Sequence, residues 1–210
     1  LASDANGNAY VTLWSYTSTP NGFPYTLQQI KPNGTLGWHK TWYDPSHYLY
    51  GHAIATRGST VYVGEYAASA GTMGVRRFAT ADGKAKPAWS YLTAQAPPDI
   101  PIQMIATAQG IFVLEEQGNV VRLTSDGEVT WKKTIPGWPD RGSMGVDSTG
   151  LSIAYDDTGN GALRIRRLSL AGARLWDKPV PGAASRTSTA AVVNGQTFTV
   201  GSPDGGDAVE

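Results

Sequence analysis

Asn119–Ile135 reads NVVRLTSDGEVTWKKTI. Its first segment alternates apolar and polar residues, Ser125-Asp126-Gly127 turns the chain, and Val129–Ile135 runs back with Trp131 at its centre. Asp-Gly between two alternating segments is a strong hairpin signal, because glycine accepts positive φ without a steric penalty. The unit recurs as LQQIKPNGTLGWHKTW (Leu27–Trp42), VRRFATADGKAKPAWSYL (Val75–Leu92) and IRRLSLAGARLWDKPV (Ile165–Val180). Its turn glycines are Gly34, Gly83, Gly127 and Gly172, at steps of 49, 44 and 45 residues. The tryptophans that follow, Trp38, Trp89, Trp131 and Trp176, keep a similar step.

Upstream of each hairpin lies another glycine turn that opens an apolar run. Examples are NGNAYVTLW (Asn6–Trp14), RGSTVYVGEY (Arg57–Tyr66), AQGIFVLEE (Ala108–Glu116), STGLSIAYD (Ser148–Asp156) and NGQTFTVGS (Asn194–Ser202). No window carries a sustained 3.6-residue apolar period, so helices are not expected. Four short strands in a repeat of about 45 residues are the signature of a β-propeller blade. A β-sandwich also has many short strands, but it does not require near-identical hairpins with Trp at one recurring position. The expected fold is therefore all-β: about four complete four-stranded blades plus half of a fifth. The blades fall near residues 1–43, 51–92, 102–135, 142–180 and 188–210, as one propeller segment. Half a blade leaves strand edges that closure normally protects. This predicts a larger ring, completed by further blades or by other subunits. Each repeated Trp is predicted to lie against the neighbouring blade, burying on the order of 150–250 Å². At about 25 cal/mol per Å² that is worth at most roughly 4–6 kcal/mol.

Composition narrows the function classes. The chain has 17 basic and 17 acidic residues and no basic cluster, which removes the electrostatic footprint expected for nucleic acid. The absence of cysteine excludes disulfides, thiolate metal sites and cysteine nucleophiles. No apolar run reaches membrane-spanning length, so no membrane insertion is expected. Low charge with abundant Gly, Ser, Thr, Trp and Tyr suits an extracellular β protein.

NGNAYVTLWSY (Asn6–Tyr16) followed by IKPNGTLGWHKTW (Ile30–Trp42) resembles the bacterial β-propeller repeat family of secreted and surface proteins. The usual form of that repeat is an NGN-YVTG strand and a closing hairpin of the form K-x-x-PNG-x-x-W-x-K-T. DGEVTWKKT (Asp126–Thr134) fits fairly, and the other hairpins match only the glycine and the Trp. The resemblance implies a propeller and an extracellular or cell-surface location, and implies no activity. ATADGKAKPAW (Ala79–Trp89) is similar to quinoprotein-type repeats, which need a calcium site and a catalytic carboxylate that this chain does not identify. Ser125–Trp131 misses the sialidase Asp box by one residue of spacing.

Candidate chemistry is sparse. His39, His47 and His52 are spaced eight and five apart, which matches no ligand pair. Asp156-Asp157-Thr158-Gly159-Asn160-Gly161 and Asp204-Gly205-Gly206-Asp207 read as plain turns rather than calcium loops. No nucleophile context or carboxylate pair emerges, so no catalytic residue, cofactor or metal is assigned. Arg76, Arg77, Arg122, Arg164, Arg166 and Arg167 recur on the third strands, where solvation or pairing with neighbouring blades is expected. The remaining feature is aromatic density in the loops, where Tyr25 and Trp42 stand among the candidates. The expected binding surface is Tyr16, Phe23, Tyr43, Tyr48, Tyr50 and Trp138, since exposed Tyr and Trp anchor protein partners and stack on sugars. A non-catalytic scaffold with a protein or glycan partner is the leading expectation. The alternatives are a structural subunit of a surface assembly, or a carbohydrate-active or quinoprotein-type enzyme whose centre lies in other blades.

Overall fold

In a computed structural model, the described residues are 1–15, 19–20, 22–44, 53–67, 72–92, 100–136, 142–157, 162–184, 187–193 and 196–201. Every regular element among them is a strand. β1 (Ala2–Ser3), β2 (Ala9–Trp14), β3 (Phe23–Ile30) and β4 (Leu36–Asp44) form the first sheet, in chain order. The second is β5 (Ala53–Arg57), β6 (Thr60–Ala67), β7 (Thr72–Ala79) and β8 (Ala85–Leu92). The third is β9 (Pro101–Thr107), β10 (Gly110–Glu115), β11 (Asn119–Leu123) and β12 (Val129–Thr134). The fourth is β13 (Gly142–Val146), β14 (Gly150–Asp157), β15 (Ala162–Ser169) and β16 (Arg174–Ala184). A two-stranded sheet follows, from β17 (Thr187–Val193) and β18 (Gln196–Gly201). Asp156 and Asp157, read from sequence as the start of a turn, are the last residues of β14. There their backbones pair with Leu163 and Ala162, so the ladder and not a turn holds them.

Burial grades across the second, third and fourth sheets. β10 is buried along its whole length and β14 at all but its last residue. Their runs of Ile, Phe, Val, Leu and Tyr follow from being covered on both faces. β12 at the outer edge is exposed at four of six positions, with only Trp131 and Lys132 half-covered.

The chain divides into two compact units, Leu1–Val113 with Leu123–Val129, and Leu114–Arg122 with Thr130–Glu210. In the first, Tyr10, Leu27, Ile54, Val61, Val63 and Phe78 form a core against which Ala2, Trp38 and Trp42 pack. Trp38 donates its indole N–H to the carbonyl of Thr80 at 2.9 Å, the second residue of the next hairpin's turn. Gln29 Nε2 donates to the same carbonyl at 3.0 Å. A Cβ placed on Gly83 would lie 2.5 Å from the Trp38 ring. The next hairpin repeats the ring-over-glycine contact, with Trp89 on Gly127, but its Arg77 lies 4.1 Å from the Trp89 ring centroid and donates to the Pro87 carbonyl of its own hairpin.

The second unit uses the same joint. Trp131 lies over Gly172, where a Cβ would sit 2.9 Å from its ring, and its indole N–H reaches the Leu170 carbonyl at 3.0 Å. Arg122 Nη1 donates to that carbonyl at 2.7 Å. Gln29, Arg77, Arg122 and Arg167 thus hold one repeat position, five residues before the turn glycine or six in the hairpin with the longer turn. Trp176 departs from the expectation. It is 37% exposed, because none of the described glycine turns lies under it. Arg167, without a turn to grasp, folds onto Asp147, Thr149 and Ser152 of its own sheet.

A register shift accompanies the Trp in each described third-to-fourth strand pairing of the first, second and fourth sheets. The shifts lie between Gln28 and Ile30, Val75 and Arg77, and Arg167 and Leu168. A bulge re-aims side chains and sharpens twist.

Candidate functional site

The end of the β3–β4 ladder carries the exposed aromatic group. Phe23 pairs with Asp44 and Pro24 with Tyr43, so Phe23 shares a face with Tyr25 and Trp42, and Tyr43 stands on the opposite face. Tyr43 is 44% exposed and Phe23 is half-buried. Tyr16, Tyr48, Tyr50 and Trp138 lie outside the described residues. Tyr25 and Trp42, also aromatic candidates on sequence grounds, belong to the packing beneath: Tyr25 is buried, and the two rings stack with centroids 6.2 Å apart. Trp42 in turn meets Phe78 at 5.5 Å, and Arg76 lies 5.4 Å from its centroid.

Glu65 ties this support together. Its Oε1 takes the Arg76 guanidinium at 2.5 Å and its Oε2 accepts the Trp42 indole N–H at 3.2 Å. With one oxygen against the Arg76 guanidinium and the other accepting the indole N–H, this carboxylate fixes the orientation of Trp42. The result is a half-buried Phe23 on the face of a Tyr–Trp stack held by an ion pair, with Tyr43 exposed on the opposite face of the same ladder. The exposed Tyr43 ring offers an apolar face at low entropic cost to a partner side chain or a sugar ring.

The other buried carboxylates of the described chain serve the sheets. Glu115, fully buried, receives Lys132 at 2.9 Å. Asp177 accepts from Arg164 at 2.9 Å, from Arg166, and from the Tyr155 hydroxyl at 3.1 Å. Burial works to raise the Asp177 carboxyl, but the bonds from Arg166 and Arg164 outweigh it and hold it below the usual value. Burial pushes the Tyr155 phenol up. Burial likewise opposes ionisation of Asp147, but the Thr149 backbone N–H, the Thr149 hydroxyl and Arg167 overcome it and hold the carboxyl at about 2. Tyr10 is pushed up to about 12 by burial and by the adjoining Asp4 carboxylate, 2.8 Å from its hydroxyl.

His39 lies exposed on β4, while His47 and His52 lie outside the described residues, as do Asp204 and Asp207. Among the described residues no group of three or more His, Asp or Glu could hold a metal ion. No helix there is long and apolar enough to cross a membrane. Sequence reasoning missed the Glu65–Arg76–Trp42 support and the Asp177 cluster. The one signal available was the run of arginines on β7 and β15, whose partners come from other strands.

Successive up-and-down four-stranded sheets, each with a largely exposed fourth strand, define a β-propeller. The chain is similar to BamB from Moraxella catarrhalis at 16% identity and TM-score 0.56, over 92% of this chain and 61% of that one. It is similar to Sqt1 from Saccharomyces cerevisiae at 11% identity and TM-score 0.61, over 90% and 51%. A third likeness is to the Dos1 propeller, at 10% identity and TM-score 0.61, over 85% and 49%. The chain therefore spans about half to three fifths of these solved chains, and at such identities the likeness is one of fold. No protein-family model matches the chain. No curated protein matches it in sequence.

Proposed function

We propose that the chain is one propeller segment of a secreted or cell-surface protein of bacterial type, acting as a non-catalytic scaffold for a protein or glycan partner. The observation that carries this reading is Tyr43, exposed at the end of the β3–β4 ladder, while Glu65, Glu115, Asp147 and Asp177 are all engaged inside the sheets. The extracellular placement rests on composition and on the resemblance of NGNAYVTLWSY and IKPNGTLGWHKTW to the repeats of secreted and surface proteins. The test is a glycan array and a surface-protein overlay with the intact protein and its Tyr43→Ala variant. A specific partner whose affinity falls about tenfold on removal of Tyr43 is expected, in line with an aromatic hot spot of about 1–2 kcal/mol. A partner bound equally by both forms, or turnover of a bound glycan, would overturn the reading.

A structural subunit is a second reading, favoured by one observation. The β17–β18 sheet has two strands where the others have four, and Trp176 is exposed where its counterparts are covered. Under that reading further blades or subunits supply a glycine-turn hairpin to Trp176. Native mass spectrometry of the protein from its source would show the added polypeptide.

A further inference from the structure

A groove of about 250 Å³ opens in the second unit between the end of β12 and the β15–β16 hairpin. Ile135 and Leu168, both almost fully buried, line it together with the turn residues Gly172 and Ala173. Lys133 and Arg174, both exposed, line it as well, and among the described residues neither has a charged or hydrogen-bonding partner. The remaining polar lining is Thr134, whose hydroxyl already donates to Asn119, and Arg166.

Arg166 is the informative residue, because its side chain is nine-tenths buried and held in place from one side. Its Nε donates to Asp177 at 2.7 Å, and its Nη2 reaches both Asp177 and the Tyr155 hydroxyl. Its Nη1 makes no bond among the described residues, so both of its N–H groups remain available. Asp177 is already shared by Arg164, Arg166 and Tyr155, which leaves Lys133 and Arg174 uncompensated. A preorganised guanidinium with a free edge and two unpaired cations beside apolar walls form an anion site with an apolar floor.

We propose that this groove binds a carboxylate carried on a small apolar body. The carboxylate would take the free edge of Arg166 and the charges of Lys133 and Arg174, and the apolar body would lie on Ile135 and Leu168. Inorganic phosphate has no body for that floor. The volume, room for roughly eight waters at about 30 Å³ each, suits one ring or one branched side chain. A free small acid and the C-terminal residue of a peptide share this chemistry. The site does not depend on the proposed role of Tyr43.

The experiment is an NMR titration of the intact protein with benzoate, benzamide, N-acetyl-alanyl-leucine, its C-terminal amide and inorganic phosphate. The reporters are the amides of Gly172 and Ala173 and the Trp131 indole N–H, whose ring lies on Gly172. Shifts with benzoate but not benzamide assign a free small acid. Larger shifts with the free peptide than with its amide assign a peptide terminus. The Lys133→Gln/Arg174→Gln double variant, altered only at exposed positions, should bind at least fivefold more weakly. Lys31→Gln, an exposed cation of the other unit, should leave binding unchanged. Arg166→Lys, checked by its melting curve, should lose tenfold or more. Equal binding of acid and amide, phosphate binding as tightly as benzoate, or no shift at the three reporters would overturn the assignment.

Discussion

Gly127 and Gly34 share a turn position and a left-handed backbone, with φ of 94° and 81°. They differ in what lies above them. A Cβ on Gly127 would drive into the Trp89 ring, whereas one on Gly34 meets nothing within 4 Å. Gly34→Ala should therefore cost about 1–2 kcal/mol, the left-handed penalty alone. Gly127→Ala should cost about 3 kcal/mol or more, because backbone strain and an overpacked ring add. Trp89→Ala in the Gly127→Ala background should recover part of that excess, and urea unfolding of the four forms as a double-mutant cycle measures the coupling. Asp147 gives a pH prediction at the same scale. Its carboxyl is held at about 2 against an ordinary 3.8, so the folded state favours the ionised form. That stability is fully present above 3.8 and is lost as pH falls toward 2. Asp147→Asn should flatten the urea midpoint across that window. Tyr10 acts in the opposite sense: its phenol is raised to about 12 from 10, so its contribution is present below pH 10 and lost as pH rises toward 12. Tyr10→Phe should remove that alkaline loss.

At the scale of the element, the hairpins that carry Trp38 and Trp131 are joints, in which the Trp and a third-strand Gln or Arg both reach a turn carbonyl of the following hairpin. Trp131→Phe keeps a ring over Gly172 but removes the N–H to Leu170, and should cost about 1 kcal/mol. Arg122→Met removes the second donor to the same carbonyl, so the double variant should cost more than the sum, by calorimetry. Lys132→Met is a sharper test of the sheet's charges. It strips the Lys partner from a fully buried Glu115 and should cost roughly 3 kcal/mol, with recovery in Lys132→Met/Glu115→Gln. The Trp–Gly spacing made the hairpin legible in sequence. The shared carbonyl was not legible, because its two donors and its acceptor lie about 40 to 50 residues apart.

At the scale of the whole molecule, the second strands β6, β10 and β14 are buried at nearly all their described positions, and the fourth strands are largely exposed. Amide exchange should therefore be slowest in β10 and β14 and fastest in β12, with the order Ile111 and Ile153 before Val129 in protection. Native-state hydrogen exchange reads this directly. An exchange pattern uniform across the four strands would contradict the burial gradient.

The sequence by itself determined the strand count, the turn positions, the recurring Trp and the propeller. Those are set by local patterns: period-two alternation, glycine at positive φ, and a fixed repeat. Tertiary structure decided what each residue meets. Trp38, Trp89 and Trp131 lie on a following glycine turn, while Trp176, with the same local sequence signature, is left exposed. Asp156 and Asp157, turn-like by composition, were drawn into a ladder. Tyr25 and Trp42, surface candidates by residue type, became a stacked pair packed toward Phe78, on the face opposite Tyr43. The physical reason is that propensity acts over a few residues, whereas burial and ion pairing are settled by strands brought together from distant parts of the chain.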